Sequence, residues 1–88
     1  MSRLAKRFSD LHASGRTALI SYITAGDPDP ATTLESMREM VACGVDVLEL
    51  GIPFSDPVAD GPTIQKACER ALHGGMTLRG VLEIVRQF

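Results

Sequence analysis

Apolar positions along the chain follow two patterns, one with helical spacing and one as short, nearly unbroken runs. Over residues 2–14, Leu4, Phe8 and Leu11 recur at i, i+4 and i+7. That spacing predicts an amphipathic helix, with Ser2 as its cap and Gly15 where it stops. Thr17 to Thr24 (TALISYIT) is β-branched and apolar and predicts a buried strand. Asp29 and Pro30 suit the N-cap and first position of a second helix, with Leu34, Met37, Met40 and Val41 as its stripe and an end near Cys43 and Gly44. Val45 to Gly51 (VDVLELG) is a second strand, apolar enough to be parallel and covered on both faces. After a loop rich in Pro and Gly, Pro62 opens a third helix to about Leu72, closed by Gly74 and Gly75. Thr77 caps a last one, with Leu78, Val81, Leu82 and Val85 on its core side.

Strands alternating with helices of this length mean parallel βα units, so the fold class is α/β. Two parallel strands leave both outer edges unpaired, which parallel sheets avoid. The expectation is a piece of a larger α/β protein, or else a chain that completes its sheet with copies of itself.

With 88 residues, 44% of them hydrophobic, there is room for one domain at most. A net charge of −2 leaves no electrostatic footprint for nucleic acid. No stretch has the apolar length of a membrane span or the hydrophobic centre of a signal peptide, so the expected setting is the cytoplasm, away from membranes. Cys43 and Cys68 lie on separate predicted helices without a CxxC pattern and read as reduced, structural thiols. His12 and His73 read as surface residues, and no metal site is expected.

The stretch LELGIPFSDPVADGP (48–62) carries the chemistry. Period-2 alternation places Val45, Val47 and Glu49 on one strand face and Leu48 and Leu50 on the other. In a closed parallel barrel, the face without helices points inward and takes Glu49 with it. A carboxylate there is either ion-paired to an unseen strand or used in chemistry. Asp56 and Asp60 also read as ordinary turn and capping residues. Their placement favours function: Glu49 is near the C-terminal end of a parallel strand, and Asp60 is in the loop that follows, where α/β active sites are built. Two carboxylates in unlike surroundings suit a division of acid and base roles. Tyr22, near the end of the first strand, would face the same mouth, or else be a core aromatic.

SYITAGDP (21–28), followed by LELGIPFSDPVADGPTIQ (48–65), resembles the alpha chain of tryptophan synthase. The resemblance runs along all 88 residues. It implies the leading helix and first two βα units of a (β/α)8 TIM barrel, a single partial domain over residues 1–88, about a third of a barrel of roughly 250 residues. It also implies a lyase that cleaves indole-3-glycerol phosphate to indole and glyceraldehyde 3-phosphate in tryptophan biosynthesis. Glu49 matches the family's acid/base glutamate. Asp60 matches the carboxylate that bonds the indole N–H. Tyr22 and Ile64 match substrate-binding positions; position 22 is more often phenylalanine in the family. Asp56 matches the loop that meets the beta chain in an alpha2beta2 complex. The chain needs no cofactor of its own, since pyridoxal phosphate belongs to the beta chain. The family's phosphate grip follows later strands, so residues 1–88 alone are expected not to catalyse.

Three other readings stand beside this one. A βα module that oligomerises through its sheet edges would show a symmetric assembly. A different phosphate-handling barrel would lack the FSDPVADGP loop. A stand-alone lyase releasing free indole would share the same acids.

Overall fold

The computed structural model describes residues 2–56 and 59–88. Six elements follow in order: α1 (Arg3–Ala13), β1 (Ile20–Thr24), α2 (Pro30–Ala42), β2 (Val47–Gly51), α3 (Pro62–His73) and α4 (Leu78–Gln87). The two strands pair in parallel, with Tyr22 opposite Glu49 and Thr24 opposite Gly51. The main-chain N–H of Ala25 donates to the carbonyl of Gly51 at 2.9 Å and extends the ladder by one bond.

The helix starts follow the capping signals. Ser2 accepts from the N–H of Ala5 at 3.1 Å, Asp29 from that of Thr32 at 2.7 Å, and Thr77 from that of Gly80 at 3.1 Å. Each side chain satisfies a donor that the first helical turn leaves without a partner. At the end of α2 the N–H of Gly44 donates to Val41 and that of Val45 to Met40, a Schellman closure. Gly44 sits there at a φ of 108°, which side chains with a Cβ rarely adopt. The same pair of bonds closes α1 and α3.

Both strands are shorter than their apolar runs. β2 starts at Val47 and not at Val45, because the N–H of Val45 is already spent on closing α2. β1 starts at Ile20 and not at Thr17. Just before it, the carbonyl of Leu19 accepts from both Asp46 and Val47, and its N–H donates to the Asp46 carboxylate at 2.8 Å. Since Gly44 and Val45 are taken up in closing α2, residues 17 and 18 have no β2 residue opposite them.

The core lies on one face of the sheet. Ala25, Met37, Ala71, Met76, Val81 and Ile84 are buried together, with Ile23, Leu34, Leu48 and Leu50 packed against them. In α4 only Val81 and Ile84 are buried, whereas Leu78, Leu82 and Val85 are exposed. Leu4 and Phe8 of α1 are exposed too, and Leu11 is buried. These stripes are wider than the surface that this chain covers. The two helices after β2 divide their work: α4 packs beside α2, and α3 packs against β1.

Met76, between α3 and α4, locks these parts. A Cβ on Gly26 would lie 2.7 to 2.9 Å from Met76 side-chain carbons, and one on Gly80 would lie 2.8 Å from its sulfur. Gly26 also has a φ of 85°, and its N–H donates at 2.9 Å to Thr33 Oγ1. The Thr33 hydroxyl, fully buried, donates in turn to the carbonyl of Asp29 at 3.0 Å. One residue on, Asp27 accepts two bonds from the Arg70 guanidinium, at 2.8 and 2.9 Å.

At the opposite end of the sheet, Asp46 joins α1 to the strands. Its side chain is 2% exposed and is held by the N–H of Leu19 and by the Arg7 guanidinium. Those two bonds, the main-chain one first, keep its carboxyl below the usual range.

Two outcomes follow from these contacts. Gly26→Ala is expected to lose about 2–4 kcal/mol, combining backbone strain with overpacking against Met76; urea unfolding within 0.5 kcal/mol of the parent, roughly the scatter of a neutral substitution, would refute it. A depressed folded pKa adds stability that is complete above the unfolded value, about pH 4, and is lost as the pH falls through the lower folded value. Asp46→Asn should therefore flatten the acid limb of the stability–pH profile, and an unaltered limb would show that Asp46 is not its source.

Candidate active site

The sheet face away from the core carries Ile20, Tyr22 and Glu49, all exposed. Glu49 sits in the middle of β2 because the strand's alternation sends Leu48 and Leu50 into the core and turns position 49 the other way. Among the described residues its carboxylate has no hydrogen-bond or ion-pair partner. The acid is thus held by its backbone and left available at its tip.

Tyr22, its register partner, does not stand straight out from the sheet. A Cβ on Gly51 would fall 1.9 Å from the Tyr22 hydroxyl oxygen and 2.4 Å from Cζ. The ring therefore leans along the sheet towards its C-terminal edge and occupies the space that any other residue at 51 would fill. Thr24, 4% exposed, places its hydroxyl 3.4 Å from the phenol oxygen. Sequence reasoning did not single out Gly51 or Thr24. The available signal was a glycine closing an apolar strand, which often marks the close approach of another group.

Asp60 lies on the connection between β2 and α3 and is exposed. It does not cap the helix: the N-cap is Gly61, without a side-chain bond. The main-chain carbonyl of Asp60 accepts from Gln65 Nε2 at 2.7 Å, which fixes the loop to the first turn of α3. Its carboxylate has no hydrogen-bond partner among the described residues. Ile64 is half-buried in that first turn, and Asp56 is exposed earlier on the same connection. Pro57 and Val58 lie outside the described residues. The structure thus brings Tyr22 and Glu49 side by side and places Asp56, Asp60 and Ile64 on the segment leaving the same end of the sheet. Among the described residues, no hydrogen bond or ion pair joins the two groups.

That segment is anchored through α3. Arg70 holds Asp27, which lies just beyond β1, and its bonds and charge keep the Asp27 carboxyl below its ordinary value. Among the described residues no three His, Cys, Asp or Glu side chains gather as a metal site. Cys43 is exposed, Cys68 is buried, and both are free.

Residues 8–88 match the family model for the tryptophan synthase alpha chain. The chain belongs to that family. It is 61% identical over all 88 residues to the alpha chain from Azoarcus sp. strain BH72 and 59% identical to that from Thioalkalivibrio sulfidiphilus, of which it covers 32% and 33%. The alpha subunit from Legionella pneumophila superposes with a TM-score of 0.98 at 52% identity, over 100% of this chain and 34% of that one. A ligand-free tryptophan synthase from M. tuberculosis gives 0.90 at 45% identity, over 97% of this chain and 34% of that one. The chain thus spans about a third of the length of the alpha chains it matches. Its leading helix and parallel βα units are those of the family's (β/α)8 barrel.

The Tyr22–Gly51 contact gives a direct test of the site. Gly51→Ala is expected to drive the Tyr22 ring off the strand end and lower stability by about 1–3 kcal/mol, the usual cost of overpacking. Unchanged ring resonances of Tyr22, the only tyrosine in these 88 residues, would show that the contact does not hold the ring.

Proposed function

We propose that these residues contribute one wall and both acids of a carbon–carbon lyase site, in a complete alpha chain that cleaves indole-3-glycerol phosphate to indole and glyceraldehyde 3-phosphate. In this reading residues 1–88 form one partial domain, the first two βα units of the eight. The observation that carries the reading is Glu49: a carboxylate on the open sheet face, beside Tyr22, with no partner among the described residues, and Asp60, whose carboxylate likewise has none among them, on the loop that follows.

The chemistry suits two carboxylates at one mouth. Glu49 in its acid form protonates indole C3, which places positive charge on the ring. Asp60 accepts a hydrogen bond from the indole N–H and stabilises that charge as it forms. Glu49, now a carboxylate, takes the proton from the chain hydroxyl next to C3. The C–C bonding pair then returns to the ring, the hydroxyl carbon becomes the aldehyde, and Glu49 ends as the acid. Tyr22 and Ile64 give the indole its apolar walls.

Asp56 and its neighbours belong, in the same proposal, to the face that meets the tryptophan synthase beta chain in an alpha2beta2 assembly, the subunit to which pyridoxal phosphate belongs. No helix among the described residues is long and apolar enough to cross a membrane; the cytoplasm, as the setting of the complete chain, is part of the same proposal.

Glu49→Gln should lower kcat by about 10²–10⁴-fold, the range of a positioned acid–base group, and Asp60→Asn by about 10²–10³-fold, the range of one electrostatic contact. Both variants should keep the parent's melting curve. Turnover near that of the parent in either one would sink the assignment of that residue.

A further inference from the structure

Tyr22 carries a hydroxyl that stacking against an indole does not need, and the surrounding residues hold that hydroxyl in one place. Gly51 leaves the space that the ring fills, as the 1.9 Å approach of a Cβ to the phenol oxygen shows. Thr24 fixes the direction of the hydrogen bond. It is 4% exposed, and the phenol oxygen, at 3.4 Å, is the only partner of its hydroxyl among the described residues. If Tyr22 donated to Thr24, the Thr24 proton would be buried without an acceptor, which is costly. Thr24 therefore donates and Tyr22 accepts. The phenol O–H of Tyr22, a residue 44% exposed, is left to donate outwards.

The point at which it donates lies close to the reacting end of the site. Tyr22 and Glu49 are direct partners across the pair, and Gly51 is the next residue on the same face as Glu49. The phenol oxygen lies over Gly51, and two residues along a strand span about 6.6 Å, so a three-carbon chain that reaches the Glu49 carboxylate can extend to the leaning phenol. An indole ring has no acceptor to offer there; a hydroxylated side chain has.

We propose that the Tyr22 hydroxyl is a specificity-determining donor, aimed by Thr24 and Gly51 at a hydroxyl oxygen of the ligand's three-carbon chain. The proposal rests on the functional reading above, since the ligand is the one named there. It adds a polar selection for the chain to the apolar selection for the ring.

The test uses the complete alpha chain with Glu49→Gln present, so that the ligand survives the measurement. Titration calorimetry compares indole-3-glycerol phosphate with 3-(indol-3-yl)propyl phosphate, which lacks both chain hydroxyls. Tyr22→Phe is expected to weaken binding of the first about tenfold, the factor that one ordinary hydrogen bond supplies, and to leave the second within about twofold. Equal losses for both, or none for either, would overturn the proposal and leave the functional reading standing. Failure of the Tyr22 parent to bind either compound would overturn the functional reading and this proposal together. Thr24→Val, which keeps the phenol and removes its donor, should reduce the preference for the hydroxylated ligand; an undiminished preference would overturn the aiming role of Thr24.

Discussion

Met76 sits where the side chains of Gly26 and Gly80 would otherwise be, and the mouth of the sheet depends on that fit. The thioether belongs to the same buried group as Ala25 beyond β1, Met37 of α2 and Val81 and Ile84 of α4. Shortening it would open the space between the strand end and the helices; lengthening either glycine would force them apart. With the glycine backbone at 26 drawn in, its N–H reaches the buried Thr33 hydroxyl, which ties the loop to the start of α2. Asp27, one residue further, is then in place for Arg70, and α3 is pinned over the end of β1. The position of Asp60 and Ile64 relative to Tyr22 follows from this chain of contacts.

The two faces of the sheet are under opposite demands. Ile23, Leu48 and Leu50 are committed to packing and can be exchanged only for residues of similar volume. Across the same backbone, Tyr22 and Glu49 do little for the core. A five-residue strand with one packed face fixes the direction of every residue on the other, because a slip of one position would reverse both. The rigidity of Glu49's backbone thus comes from its neighbours, Leu48 and Leu50, rather than from bonds to the acid.

Local chemistry was legible in the sequence. Ser2, Asp29 and Thr77 cap the helices that their positions indicated, and Gly15, Gly44 and Gly75 close them. The alternation around Glu49 identified its face correctly, and the family motif was specific enough to give the fold. Strand lengths were not legible: Val45 and Thr17 are apolar or β-branched, but their strand positions depend on where α2 closes and where β2 begins. Nor was the reach of the apolar stripes: Leu78, Leu82 and Val85 are periodic with Val81 yet exposed. Periodicity marks a face suited to burial and does not say that the chain itself supplies the cover. The closeness of Tyr22 to Gly51 joins residues far apart in sequence, and no local pattern encodes it.

Asp46 and Glu49, three residues apart around the start of β2, show how environment divides like groups. Asp46 lies where the strand begins, its side chain closed off from water, with the Leu19 N–H and the Arg7 guanidinium directed at it. Those donors favour its charged form and tie it to one geometry, so it joins α1 to the sheet and has little freedom to exchange a proton near neutral pH. Glu49 is exposed and has no such donors among the described residues. A group meant to give up and take back a proton must not be held in one state by strong partners. In the proposed lyase role, a backbone fixed by the ladder and a carboxylate without bonds among the described residues are what that exchange asks of Glu49.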